Sequence, residues 1–384
     1  MAACASAPIG TPAPPRPEYA LAGAVPEVHV VAGAVRVEPG AGPGVTVRVR
    51  RLGRDSAVLA VRIRRGADGD ALWVVSDTPR LLYAGMPKPD SVEVEAGRTG
   101  FRAAQRGLLT PHTTIVTRRG TKGDSARADV VVRVPSGHRL RVDVAAGEIV
   151  AAGTTAELYL TSVAAPVTAE RTRGPLRVET EGGLATVRRV EGDVAIDTRR
   201  GGASLDSVAG PRLAVKSTTG SVTADRLHSS DVALHVEAGS LDLRGVRTAS
   251  LRIDGHAGSI TGRDVDARRL EVETGAGEIE LRGVRTGEAV VHTGAGDMTF
   301  ALAGEPRSLR LKADGSIRLE LPAGLDAELR LAGDDGIDLQ VPARVLSRSG
   351  STVVARLGTG RARIVADADD VLSVVGAGAG GPAR

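Results

Sequence analysis

The chain has 384 residues, 25% of them charged and 42% hydrophobic, with a formal net charge of +4. A chain of this length can bury a substantial core, and so small a net charge gives no reason to expect nucleic acid as a partner. Its single cysteine, Cys4, excludes an intrachain disulfide, and no segment reaches the apolar length of a membrane-spanning helix.

In chain order, residues 1–25 read as a disordered Ala/Pro-rich linker, with Pro8, Pro12, Pro14, Pro15 and Pro17. As written, the chain shows no charged-then-apolar leader and so reads as cytoplasmic. The alternative is a cell-surface lipoprotein anchored through Cys4, which requires a signal sequence upstream. Residues 26–134 read as an irregular N-terminal β region or cap. Alternating runs at 28–37, 45–51, 58–64, 72–75, 92–96, 113–117 and 129–134 are separated by Gly and Pro and stay outside the repeat register that follows. From Ala96 to Gly123 there is no acidic residue, whereas Arg98, Arg102, Arg106, Arg118, Arg119 and Lys122 are basic. Arg98, Arg102 and Arg106 would share a face if the segment formed a helical turn. This loop, 98–122, is the candidate contact for an anionic surface or partner; its plainer reading is a solvated connector.

A repeat of about nineteen residues begins at Leu140. Copies open at Leu140, Leu158, Leu176, Val194, Leu213, Val232, Leu251, Leu270, Ala289, Leu309 and Leu329, with spacings of 18 to 20 residues. Positions one and three are apolar, position eight is usually Gly, and position ten is apolar again. One copy has Leu270, Val272, Gly277 and Ile279; the copy before it has Leu251, Ile253, Gly258 and Ile260. Period-two spacing puts such side chains on one face of a strand. A run this short is not a stable sheet alone, but stacked copies give each strand a partner above and below.

The fold expected is therefore all-β: a single-stranded parallel, right-handed β-helix or solenoid over 135–350. C-terminal strands follow over 351–373, with an irregular stretch at 342–351 before them, and a disordered Gly/Ala tail over 374–384. At roughly 4.8 Å per coil the repeats make a rod on the order of 50 Å long. Leu251, Ile253, Ile260, Leu270, Val272, Ile279 and Leu281 should point inward. Position five (Ser162, Thr180, Thr198, Ser217, Thr274, Thr293) and position eleven (Thr168, Thr186, Ser204, Thr223, Thr261, Thr299) read as outward hydroxyl ladders.

Position four carries Asp143, Glu179, Asp197, Asp254 and Glu273, but also Lys216, His235, His292 and Lys312. Its signs alternate along a solvated face, and no pair of carboxylates is gathered for acid–base work. Arg244, Arg263 and Arg282 stack at position thirteen and need acids such as Asp242 and Glu280 beside them. His235 and His292 share a ladder but lie about 14 Å apart, too far for one metal ion. The Gly-x-Gly-Asp turns lack the nine-residue period of a calcium-binding β-roll. The Gly-rich tail lacks the strand and helix that frame a dinucleotide fingerprint. No catalytic residue, metal or cofactor is assigned, and the chain reads as a non-enzyme.

Thr274-Gly-Ala-Gly-Glu-Ile-Glu-Leu281, then Arg282-Gly-Val284 and Thr293-Gly-Ala-Gly-Asp-Met298, together with Val134-Pro-Ser-Gly137, resemble the bacterial "putative adhesin" family of β-strand repeats, a domain of unknown function. The resemblance spans roughly residues 28–366. It weakens at Thr161-Ser-Val-Ala-Ala-Pro166 and Thr198-Arg-Arg-Gly201, which lack the Gly-x-Gly. It implies kinship with right-handed β-helices of the pectate-lyase type, and it transfers no site residue. The function implied is a non-enzymatic scaffold or adhesin-like interaction protein with an unidentified protein or surface partner. One alternative is a polysaccharide-active β-helix enzyme, disfavoured because the repeats hold only Tyr159 and Phe300 as aromatic platforms. The other is an anionic-surface binder acting through loop 98–122, recognisable by salt sensitivity.

Overall fold

A computed structural model describes residues 18–97, 100–103, 113–120 and 122–376. Over these residues the protein is almost wholly β-structure, a solenoid-like stack of mainly parallel strands with one short 3-10 turn at Ser56–Val58.

The middle of the stack shows how the repeat works. Strands Val222–Ala238, Leu241–Ala257, Ile260–Ala276 and Ile279–Ala295 run parallel, with Leu241 opposite Ile260 and Ile260 opposite Ile279. The pairing offset is one repeat, so equivalent positions meet and apolar ladders run along the axis. The seven residues expected inward, Leu251 to Leu281, are all buried. Each such Leu or Ile contributes about 1.5–3 kcal/mol by leaving water. Aromatics are not needed, because ladders of aliphatic side chains fill the narrow interior.

Two corners shape each coil. The first is position eight, where Gly239, Gly258, Gly277 and Gly296 have φ of +151°, +123°, +147° and +140°. A Cβ on Gly277 would lie 2.2 Å from the carbonyl oxygen of Gly258. Glycine is required there both for its dihedral and for the close approach of the coil beneath. The second corner is position fourteen, where the left-handed region recurs at Arg171, Arg189, Ser207, Arg226, Gly245, Asp264 and Gly283, with φ from +52° to +68°. A side chain in that region costs roughly 1–2 kcal/mol. The pairing of neighbouring coils evidently outweighs that cost at the five positions that are not Gly.

Position five corrects the expectation of an outward ladder. Ser162, Thr180, Thr198, Ser217, Thr274 and Thr293 are buried. Positions one, three and five have the same parity, so they face the same way. Three of the hydroxyls avoid the penalty of burial by bonding to the corner itself, whereas Thr274 Oγ1 is buried without a hydrogen bond. Ser162 Oγ donates to the Ala165 carbonyl, Thr180 Oγ1 to Gly183 and Ser217 Oγ to Gly220, each at 2.6 Å. Position eleven faces outward and is partly or fully exposed.

Both ends depart from simple stacking. At the N-terminal end, Glu27–Gly40 is itself a repeat coil: Val142 pairs with Val28, Gly147 with Gly33 and Ile149 with Val35. The reading of 26–134 as lying outside the repeat register is corrected for this strand. Its register was hidden because its neighbour in space follows only after the rest of the cap. The opposite edge of Glu27–Gly40 is shared by Ala71–Ser76 and Arg127–Pro135, which together make one further level. Between those two halves the chain makes an excursion: a five-stranded sheet of Arg80–Leu82, Ser91–Ala96, Phe101–Ala103, Thr113–Thr117 and Asp124–Ser125. Val45–Leu52 and Leu59–Arg64 run antiparallel against the outer level and cover it. Glu18–Leu21 pairs with Val45–Leu52, so residues 18–21 of the expected linker are a strand. Residues 1–17 lie outside the described residues.

At the other end, sequence order would stack Ala327–Gly333 directly on Ser308–Ala313. Instead Ala362–Ala368 lies between them, Ile364 pairing with both Leu309 and Leu329. Val371–Gly376 does the same between Ile317–Leu321 and Gly336–Gln340. Residues 374–376 of the expected tail are thus part of a strand, and 377–384 lie outside the described residues. The stretch read as irregular contains the strand Arg344–Ser349. It pairs antiparallel with Thr352–Leu357, which in turn pairs antiparallel with Ala327–Gly333. All of Arg344–Ser349 is exposed, and Arg344 and Arg348 put charge on this outer strand.

Candidate functional site

The basic segment sits on the inserted sheet. Arg98 and Arg106 lie outside the described residues. Arg102 is on Phe101–Ala103, which pairs antiparallel with Ser91–Ala96 and places Arg102 opposite Glu95. Arg102 Nε and Nη2 both donate to Glu95 Oε2, at 3.1 and 2.9 Å. The helical turn imagined for this stretch is therefore not formed at Arg102, because a strand partner captures it. Arg118 forms an ion pair with Asp90, and its backbone N–H donates to the Asp90 carbonyl at 2.7 Å. Arg119 and Lys122 are exposed and make no ion pair among the described residues. With Arg80, Ser91, Glu93 and Thr117 they line a shallow groove of about 380 Å³. The sequence run of six cations is thus divided in space, with two neutralised by neighbouring acids and two left facing solvent.

The inserted sheet is tied to the solenoid by a buried polar cluster that the sequence did not single out. Register places Asp143 opposite His29, and His29 opposite Trp73, on three successive levels. The His29 ring stacks on Trp73 with centroids 3.9 Å apart, and Phe101 meets Trp73 edge-on at 5.8 Å. His29 Nε2 lies 3.0 Å from Glu27 Oε2, and Nδ1 lies 3.4 Å from Asp143 Oδ2. The same Asp143 oxygen accepts the Phe101 backbone N–H at 2.5 Å, while its Oδ1 is buried without a hydrogen bond. Burial opposes a charge on His29, but its hydrogen bonds to Asp143 and Glu27 outweigh that, and the imidazole pKa is raised. The hydrogen bond from His29 lowers the pKa of Glu27 against the opposing effect of burial. A histidine between two carboxylates has the composition of an acid–base site. His29, however, has no accessible surface. Through Asp143 and Trp73 the cluster joins Phe101 and its sheet to the first coils.

Asp143 departs from the solvated face expected of position four, being buried beside His29, but from Glu179 onward that position behaves as a balanced outward face. His235 Nδ1 lies 3.0 Å from Asp254 Oδ2, and Lys216 Nζ lies 3.9 Å from Glu237. At position thirteen, Arg244 pairs with Asp242 at 3.1 Å, and Arg282 pairs with Glu280 at 2.7 Å and Glu320 at 3.5 Å. Arg263 has no ion pair among the described residues. Three alanines at position two, Ala195, Ala214 and Ala233, floor a groove of about 360 Å³ between Arg177 and Arg252. Its signal was visible as the Ala in three consecutive openings. Among the described residues, no three His, Cys, Asp or Glu side chains are gathered as a metal site. No described helix is long and apolar enough to cross a membrane.

No curated protein matches the chain in sequence. A crystal structure described as a "putative cell adhesion protein" from Clostridium sporogenes aligns over 94% of this chain and 99% of its own, at 6% identity and a TM-score of 0.17. That score is too low to equate the two folds. The sequence itself matches the family described as Toastrack DUF4097 over residues 112–371, which is most of the chain and includes every repeat copy from Leu140 onward. The match supports a β-repeat domain of unknown function, and it lends nothing to the expected kinship with pectate-lyase-type helices. By this match the chain belongs to the Toastrack DUF4097 family.

Proposed function

We propose that the protein is a non-enzymatic, adhesin-like solenoid scaffold that works by presenting its outer surface to a protein or surface partner. The observation that carries this reading is the coil-by-coil pairing of outward charges. Arg139 with Glu157, Arg173 with Glu191, Arg252 with Glu271 and Arg307 with Glu288 are each bonded across adjacent levels at 2.8–3.0 Å. Such ladders hold register and leave the repeats without a gathered reactive group. A right-handed winding belongs to the same proposal, on the general chirality of parallel crossovers.

Incubation with acidic and neutral polysaccharides tests the non-enzymatic part. Release of shortened chains by the purified protein would replace this reading with the polysaccharide-active one. Loop 98–122 as an anion contact is favoured by one observation, the exposure of Arg119 and Lys122 without ion partners among the described residues. Binding to anionic vesicles that falls with salt, and falls further in an Arg119→Ser/Lys122→Ser variant, is the result expected if that loop makes the contact.

A further inference from the structure

A second gathering of incompletely neutralised cations lies away from the basic run, on the outer face of the N-terminal coils. Three strands bring it together. Val131 pairs with Arg36 on one side and with Arg48 on the other, while Asp129 pairs with Ala34 and with Arg50. Directly paired residues share a face, so Arg36, Arg48 and Arg50 project together, with Arg36 and Arg48 about 9.6 Å apart across two strand spacings. A wall is supplied by Tyr83, Gly85 and Pro87 of the inserted segment. The Arg127 guanidinium lies over the Tyr83 ring, 5.6 Å from its centroid. The result is a groove of about 430 Å³, the size of a small-molecule site.

What sets this groove apart is that four arginines line it together. Many arginines elsewhere are bonded closely to acids, as Arg177 is to Glu179 at 2.6 Å, and others, such as Arg263, have no ion pair among the described residues. Here Arg48 reaches Glu18 and Arg127 reaches Asp129 only at 3.9 Å. Arg36 and Arg50 have no ion pair among the described residues, and the Nε–H of Arg48 is buried without an acceptor. Four guanidinium groups and two carboxylates, Asp129 and Glu148, line the groove, leaving an excess of two positive charges. A phosphomonoester carries about 1.5–2 negative charges at neutral pH. Guanidinium forks match its oxygens in pairs. The two carboxylates disfavour a long polyanion and are suited to accept hydrogen bonds from hydroxyl groups.

We infer that this groove binds a small hydroxylated phosphomonoester of the sugar-phosphate class, held by Arg36, Arg48 and Arg50. The site is independent of the repeat face and of loop 98–122. Calorimetric titration of the whole protein with glucose 6-phosphate, inorganic phosphate and glucose at low ionic strength tests it. The sugar phosphate should bind more tightly than phosphate, and glucose should not bind. Arg36→Ala and Arg50→Ala should each weaken the sugar phosphate by roughly tenfold or more, since a hydrogen bond to a charged group is lost. Their melting temperatures should not change. An Arg102→Ala/Arg118→Ala variant should bind as the wild type does. The assignment is overturned by no heat of binding at 10-millimolar-range ligand, or by affinity undiminished in the Arg36 and Arg50 variants. Binding of polyphosphate or anionic vesicles without binding of the phosphomonoesters would overturn it too, and would make the face a polyanion surface.

Discussion

From Val222 to Ala295 every coil pairs with the coil just before it in sequence, whereas at both ends the partner comes from far along the chain. Glu27–Gly40 is laid between Arg127–Pro135 and Arg139–Ala152, and Ala362–Ala368 between Ser308–Ala313 and Ala327–Gly333. The middle is a set of nearest-neighbour contacts that each repeat repays at once. The ends are woven, so their order depends on loop closure over long distances. The weaving also puts a terminal strand inside the stack, away from the open edge, and leaves antiparallel strands to cover what remains.

The strongest way to break the comparison is to charge the middle. Ile279→Asp places a carboxylate in an aliphatic ladder and should cost about 3–5 kcal/mol, read as a fall in the urea midpoint. A loss under about 1 kcal/mol would mean that the interior is loosely packed or wet.

Next comes the N-terminal end, through His29. Its folded pKa is raised, so its contribution is fully present below the ordinary histidine value and is lost as pH rises through the folded one. Glu27, whose pKa is lowered, contributes above the ordinary carboxylate value and loses that contribution as pH falls through its folded pKa. His29→Gln should cost about 3–5 kcal/mol near pH 6, because Asp143 is left buried without its cation. The gap from wild type should narrow toward pH 9. His29→Gln/Asp143→Asn should recover much of the loss. A gap equal at pH 6 and pH 9 would show that His29 acts by packing on Trp73 alone. Hydrogen exchange should place the damage in the inserted sheet and leave 222–295 protected.

Gly277→Ala probes the first corner. The added Cβ meets a carbonyl of the coil beneath, at a φ that alanine avoids, and should cost about 1–3 kcal/mol. The same change at Gly324, which has a positive φ but no heavy atom within 4 Å of an added Cβ, should cost less. Equal costs would mean that dihedral strain alone matters. Smallest is the second corner: Asp264→Gly relieves a left-handed residue and should stabilise by up to about 1 kcal/mol, after the entropy of the added Gly is set against it. A destabilised variant would show that the Asp264 side chain makes a contribution larger than its strain.

Much of the solenoid was legible from residues 140 to 300, because a repeat writes each contact at a fixed spacing. The inward set from Leu251 to Leu281 and the glycine corner both followed from it. Position five was misread although its parity was on the page: a hydroxyl suggested solvent, and the corner carbonyls that satisfy it are visible only in the folded coil. The left-handed corner at position fourteen was masked by Arg, Ser and Asp standing where Gly245 and Gly283 stand elsewhere. The candidate site was less legible. A run of cations in sequence drew attention to 98–122, yet strand pairing sets Arg102 against Glu95 and Asp90 lies beside Arg118.

By itself the sequence determined the β-structure, the length of the coil and which aliphatic side chains fill it, since each depends on residues within one or two repeats of one another. Only the tertiary structure decided the order of the levels at the two ends, the burial of His29 against Asp143, and the meeting of Arg36, Arg48, Arg50 and Arg127 around one groove. Those depend on which distant strands pair, and local alternation is the same whichever partner is chosen.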